Sequence, residues 1–174
     1  MQLILFMDMV LSALMKDFLV TSTKLDEIDL RILRELGKDG RMTAAELSQR
    51  VGLSATPVIR RLKQLEGSGV IRGYIALIDE AALGYTMSVF VSVKLDRQVD
   101  HALRSFESAI SLFPEVVDCW LMTGNRDYLL RIAVTGLKEF EELMIERLVK
   151  IDGVASIESS IPIRRVKAGI ARSP

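Results

Sequence analysis

The residues best typed and spaced for chemistry lie between Gln49 and Gln64, where Arg50, Arg60, Arg61 and Lys63 occur without a single carboxylate. Cations grouped with short hydroxyl side chains suit the binding of phosphates and base edges rather than the making of covalent bonds. Ser54 and Thr56 are the candidates for base edges, and Arg60, Arg61 and Lys63 for phosphates and guanine. Pro57 and Ile59 belong to the same surface. Arg61 has a second reading, because it borders an apolar seam and can pair with an acid of the protein instead. Other chemistries lack parts. His101 is the only histidine and Cys119 the only cysteine, so no disulfide framework or zinc cluster is expected. No motif places paired carboxylates, a Ser-His-Asp set or a Cys-His pair, and neither a catalytic residue nor a metal ligand is expected. A lone cysteine suits a cytoplasmic protein.

The element that must present these cations runs from Thr43 to Ile71 as two helices joined by a tight turn. Thr43 is placed to cap the first, with Glu46 completing a capping box. Leu47 and Val51 fall on one face, and Gly52 supplies a left-handed end. Ser54 opens the second helix, and Pro57 sits in its first turn, where a missing N–H is harmless. Val58, Leu62 and Leu65 make an apolar seam, while Thr56, Ile59, Arg60 and Lys63 look away from it. Leu25 to Leu36 forms a preceding helix whose floor is Leu25, Ile28, Ile32 and Leu36, with Gly37 after its end. This is a helix-turn-helix, and its second helix is shaped for a DNA major groove.

Formal net charge is zero over 174 residues, which at first opposes nucleic-acid binding. Its distribution removes the objection. Residues 25–72 carry nine cations against seven anions, and four of those anions lie in the floor helix, away from the reading helix. Residues 1–24 form an N-terminal extension. Its run LILFMDMVLSALM is interrupted by Asp8 and too short to cross a bilayer, so no membrane partner is expected. It reads either as an amphipathic helix in need of a partner or as upstream sequence of a chain starting at Met7, Met9 or Met15.

Beyond residues 25–72, Val70 to Ile78 has β character and reads as a connector strand, with 73–84 serving as the hinge. Residues 85–174 then alternate in period. Met87, Val89, Val91, Val93 and Leu95 mark a strand, and Val99, Leu103, Phe106, Ile110 and Phe113 a helix stopped by Pro114. Val116–Thr123 and Asp127–Val134 pair through a Gly124-Asn125-Arg126 turn. A helix follows Gly136, and a last strand covers Val154–Ile163. The fold class is therefore α+β, an N-terminal helix-turn-helix domain joined by a connector strand to a βαββαβ ferredoxin-like sandwich. Phe90 and its neighbours on the sheet's second face need a cover, and a second copy of the chain is the simplest. Dimerisation would also set two reading helices side by side on double-stranded DNA. In the Gly124–Tyr128 loop the glycine turn offers free N–H groups to a carboxylate, and Asp127 suits an ammonium; the same residues also serve as a plain hairpin turn.

With both halves in view, the chain resembles the Lrp/AsnC (feast/famine) family of prokaryotic transcriptional regulators. The resemblance spans Lys24 to Pro174 and rests on LDEIDLRIL at Leu25, LSATPVIRRLKQLEGSGVIRGYIALID at Leu53, TGNRDYLLRIAV at Thr123 and IDGVASIESSIPIRRVK at Ile151. It implies a DNA-binding domain hinged to a sensing domain that dimerises through its sheet and stacks into octamers or similar assemblies. It further implies a small-molecule effector, an amino acid or a related metabolite, rather than a cofactor. The implied effector site is the loop of Gly124, Asn125, Asp127 and Tyr128, lining a cleft between dimers; many members have an acid where Asn125 stands. Two other readings share this architecture. One is an architectural protein that wraps DNA, and the other a siroheme-decarboxylase-like enzyme, which would lean on histidine and arginine. His101 falls off the Val99/Leu103 seam, as a surface residue would.

Overall fold

The computed structural model describes residues 24–167, so the N-terminal extension, Lys24 apart, lies outside the described residues. The chain divides into two compact units meeting at Leu77 and Ile78.

Among the described residues the first unit holds three helices: α1 (Glu27–Lys38), α2 (Ala44–Val51) and α3 (Ala55–Gly67). Each start follows from local chemistry. Asp26 and Asp29 form a capping box on α1, and Thr43 and Glu46 form the expected one on α2. Ser54 is the N-cap residue of α3, but its hydroxyl makes no capping bond. Gly37 lies inside α1 rather than after it, since the helix continues to Lys38 and closes on Asp39. Gly52 does end α2, at φ +74°. A side chain there would meet no atom, yet it would have to hold a left-handed backbone. Gly52→Ala should therefore lower stability by about 1 kcal/mol without filling or emptying the core, which a denaturant titration checks. Ile32, Leu47, Val51, Val58 and Leu65 are buried together, ringed by Ile28, Leu36, Leu53, Leu62 and Ile71. Full burial of each such side chain contributes about 1.5–3 kcal/mol, which orients α3 on α1 and α2.

The connector departs from expectation. Residues 73–79 form no strand: among the described residues none of their backbone N–H groups finds a backbone acceptor on another segment. Tyr74, Ile75, Leu77 and Ile78 are all exposed.

The second unit carries strands β1 (Met87–Leu95), β2 (Val116–Leu121), β3 (Tyr128–Val134) and β4 (Val154–Ser160), with helices α4 (Asp100–Ile110) and α5 (Leu137–Leu143). A single π turn, Met144–Leu148, prolongs α5. The sheet order is β2-β3-β1-β4, and each adjacent pair is antiparallel. This is the expected βαββαβ sandwich. β4 stops at Ser160 instead of Ile163, since Pro162 has no N–H to continue the ladder. Val89, Val91, Val93, Leu130, Ile132 and Val134 share the buried face with Leu103, Phe106, Ile110, Phe140 and Leu143 of the helices. Register places Phe90 opposite Arg131 and Leu129 opposite both Ser92 and Trp120, so these residues line the other face. Trp120 is 43% exposed there, and Phe90 and Leu129 are half-buried.

Candidate nucleic-acid interface and ligand loop

Packing of Val58 and Leu65 into the first unit's core decides which side of α3 faces outward. Ser54, Thr56, Ile59, Arg60 and Lys63 are exposed, and Pro57 is half-buried in the first turn. Thr56, Ile59, Arg60 and Lys63 recur at three, four and seven, so the helix sets them in one strip. Among the described residues Arg60 and Lys63 have no ion-pair partner, so their charge remains available. No acid lies in the first turn of α3, whose exposed N–H groups add a positive end.

Arg61 is different. Its Nη1 donates to Asp26 at 2.6 Å and to Asp29 at 2.7 Å, joining α3 to the start of α1. These contacts hold the guanidinium above its usual pKa, the Asp29 hydrogen bond foremost. Its side chain is 20% exposed. The geometry thus selects the second of the sequence readings for Arg61, a partner to acids of its own domain. The carboxyl of Asp26 is correspondingly held below its usual range, chiefly by the backbone N–H of Asp29 and with help from Arg61.

The second unit presents the other predicted site. Gly124 turns the chain at φ +117°. The N–H groups of Gly124, Asn125 and Arg126 have no acceptor among the described residues, and Asn125 is exposed. That part of the loop can receive a carboxylate. Asp127 cannot meet an ammonium as the protein stands, because it is only 2% exposed and already engaged. It accepts from the Leu95 N–H at 2.7 Å and from Gln98 Nε2 at 2.5 Å, while its own N–H donates to the Val93 carbonyl. Tyr128 is likewise interior. Its ring lies 4.5 Å from that of Phe106, and its hydroxyl donates to Glu107 at 2.9 Å. Burial and Glu107 together raise its pKa, so the phenol stays neutral. Asp127 and Tyr128 therefore shape the loop from beneath, whereas Gly124 and Asn125 form its open surface.

Arg126 was not among the expected site residues, although it sits within the turn. It donates to Ser156 at 2.9 Å and to Glu158 at 2.6 Å, tying the loop to β4. Only the pairing of strands distant in sequence brings these together. Gln98 had no sequence signal at all.

The Cys119 sulfur, partly desolvated at the sheet edge and facing Glu107, has its pKa pushed up to about 11, so it remains a thiol. Among the described residues no group of three or more His, Cys, Asp and Glu side chains is placed to hold a metal ion. No described helix is long and apolar enough to cross a membrane.

Comparison with known proteins agrees with both halves of this description. Residues 25–72 match the model of a winged helix-turn-helix DNA-binding domain, and residues 88–171 that of the Lrp/AsnC ligand-binding domain. A leucine-responsive regulatory protein of Rhizobium meliloti is 42% identical over 86% of this chain and 96% of its own. The Bkd operon transcriptional regulator of Pseudomonas aeruginosa is 45% identical over 82% and 94%. Among solved structures, a transcriptional regulator of Neisseria meningitidis in complex with L-methionine superposes with TM-score 0.80 at 36% identity, covering 84% of this chain and 94% of that one. A three-helix reading domain, a ferredoxin-like sensing domain and relatives that match across both lead to one conclusion: the chain belongs to the Lrp/AsnC family of transcriptional regulators.

Proposed function

We propose that this regulator reads double-stranded DNA with the outward strip of α3, in the cytoplasm, as a dimer or a higher assembly such as an octamer. Arg60 and Lys63 take phosphates or guanine, Ser54 and Thr56 lie near base edges, and Ile59 and Pro57 pack against the groove wall. Arg61 holds α3 in place. The observation that carries this reading is the pair of cations on the exposed strip of α3 that have no ion-pair partner among the described residues, beside a third cation engaged by Asp26 and Asp29. Dimerisation uses the sheet face of Phe90, Leu129 and Trp120, which a single copy leaves partly open.

The effector is an amino acid or a related small metabolite. Its carboxylate is received by the free N–H groups of Gly124 and Asn125, in a loop whose shape Asp127 and Tyr128 maintain. A relative solved with L-methionine favours this chemistry. Binding acts by population shift, since an effector moves DNA occupancy only through unequal affinity for two states of the assembly.

The test is an anisotropy titration of an operator duplex at several salt concentrations. Arg60→Ala should weaken binding and lower the slope of log K against log salt by about 1 for each phosphate that the assembly no longer neutralises. Unchanged affinity and slope would remove Arg60 from the interface.

A further inference from the structure

The connector is pinned at both ends by polar contacts, each inside its own compact unit. On the helical side, the Tyr74 hydroxyl donates to Glu66 of α3 at 2.9 Å. On the sheet side, Glu80 receives both terminal nitrogens of Arg131, each at 3.0 Å, in a two-pronged fork. The third donor of Arg131, Nε, reaches Asp118 of β2 at 2.9 Å, so the guanidinium itself cannot swing. Glu80 is not a loose side chain on a loose loop. Its carbonyl accepts from Leu83 and Tyr85, and Asp79 caps the same turn through Ala81, so residues 79–85 are a folded unit leading into β1. Between the two pins only 75–79 remain, and Ile75, Leu77 and Ile78 are 75%, 76% and 67% exposed. From Tyr74 to Glu80 such a segment reaches at most about 20–22 Å.

We propose that the Glu80–Arg131 fork is a positioning pair that sets which half-site spacing this regulator accepts on DNA. The proposal rests on the reading that paired copies bind DNA. Two reading heads tethered by short connectors accept only half-sites whose separation and helical phase match. While the fork holds, each connector leaves the sheet unit at a fixed point and in a fixed direction. Once it opens, the folded turn is freed, the tether lengthens toward Gly84, and more separations become reachable. Arg131 also sits beside Phe90 on the face assigned to the second copy, so the fork lies where assembly can act on it.

The experiment uses the full chain and duplexes carrying two selected half-sites at the preferred spacing, or displaced by half a helical turn. Glu80→Ala and the milder Glu80→Gln are compared with wild type by anisotropy, with subunit count from light scattering and fold from calorimetry. Wild type should prefer the matched spacing at least tenfold. Glu80→Ala should bring the two duplexes within about threefold, and Glu80→Gln should fall between, with the affinity for one isolated half-site unchanged. Arg131→Met should relax spacing as Glu80→Ala does, and the double variant should relax it no further. Retention of the tenfold preference by folded Glu80→Ala or Glu80→Gln would overturn the role of the fork alone. Absence of any spacing preference in wild type would overturn the paired reading and the fork with it.

Discussion

Arg61→Ala is expected to destabilise the helical domain by about 1–3 kcal/mol while leaving the salt dependence of DNA binding unchanged. The guanidinium meets two carboxylates, of which Asp29 is the more enclosed at 13% side-chain exposure. Removing it leaves two like charges facing each other with no cation between them, and an enclosed acceptor without its donor is the larger part of the loss. For a domain this small, each kcal/mol shifts the melting temperature by roughly 4–8 °C. Calorimetry would show the loss. Affinity for DNA should fall as well, since α3 is less well held, but the number of phosphates it neutralises should not. Arg61→Lys should recover only part of the stability, because a point ammonium satisfies two carboxylates less well than a planar fork. A flattened salt slope with an unshifted melting temperature would instead place Arg61 on the DNA.

The second large effect belongs to Asp127. Replacement by alanine leaves the buried Leu95 N–H without an acceptor and frees Gln98, at the point where the loop crosses the end of β1. An orphaned buried donor of this kind typically costs about 1–3 kcal/mol. Asp127→Asn should be milder, since one amide oxygen still accepts from Leu95 and Gln98 can turn its own amide to match. The side chain is nearly inaccessible, so any loss of effector response in Asp127→Ala should accompany a lower melting temperature. An intact melting temperature with abolished response would mean that Asp127 touches the effector directly.

These two residues also mark how far the sequence could be read. Helices α1 to α3 were legible because seam spacing in all three, and the capping box and Gly52 turn of α2, report local geometry, which the chain determines within a few residues; the Gly37 end of α1 and the Ser54 cap of α3 did not form as expected. The β1 alternation was legible for the same reason. What Arg61 and Asp127 do depends on partners 35 and 32 residues away, and no local pattern encodes such pairings. Arg61 had an interior alternative because it borders the Val58–Leu65 seam; Asp127 had none, and its charge suggested an exposed role. The connector differs for another reason. Its residues have strand propensity, but a strand also needs a neighbour, and the described part of the single chain offers none. The four acids of residues 25–36 that help to bring net charge to zero now have functions: Asp26 and Asp29 grip Arg61, Glu27 pairs with Arg31, and Glu35 with Lys38. None of them opposes the reading strip of α3.

The central proposal is that α3 reads DNA and that the Gly124–Tyr128 loop, on receiving a small amino-acid-like molecule, changes that reading. The most direct measurement takes the full chain, screens the amino acids by thermal shift, and titrates an operator duplex with and without the molecule that stabilises it. A ligand that binds the native state at a hundred times its dissociation constant adds about 2.7 kcal/mol, which a melting curve resolves easily. The expected result is a stabilising amino acid and a change in operator affinity of roughly 5- to 150-fold when it is present. Identical operator curves with and without a ligand that demonstrably binds would contradict the coupling.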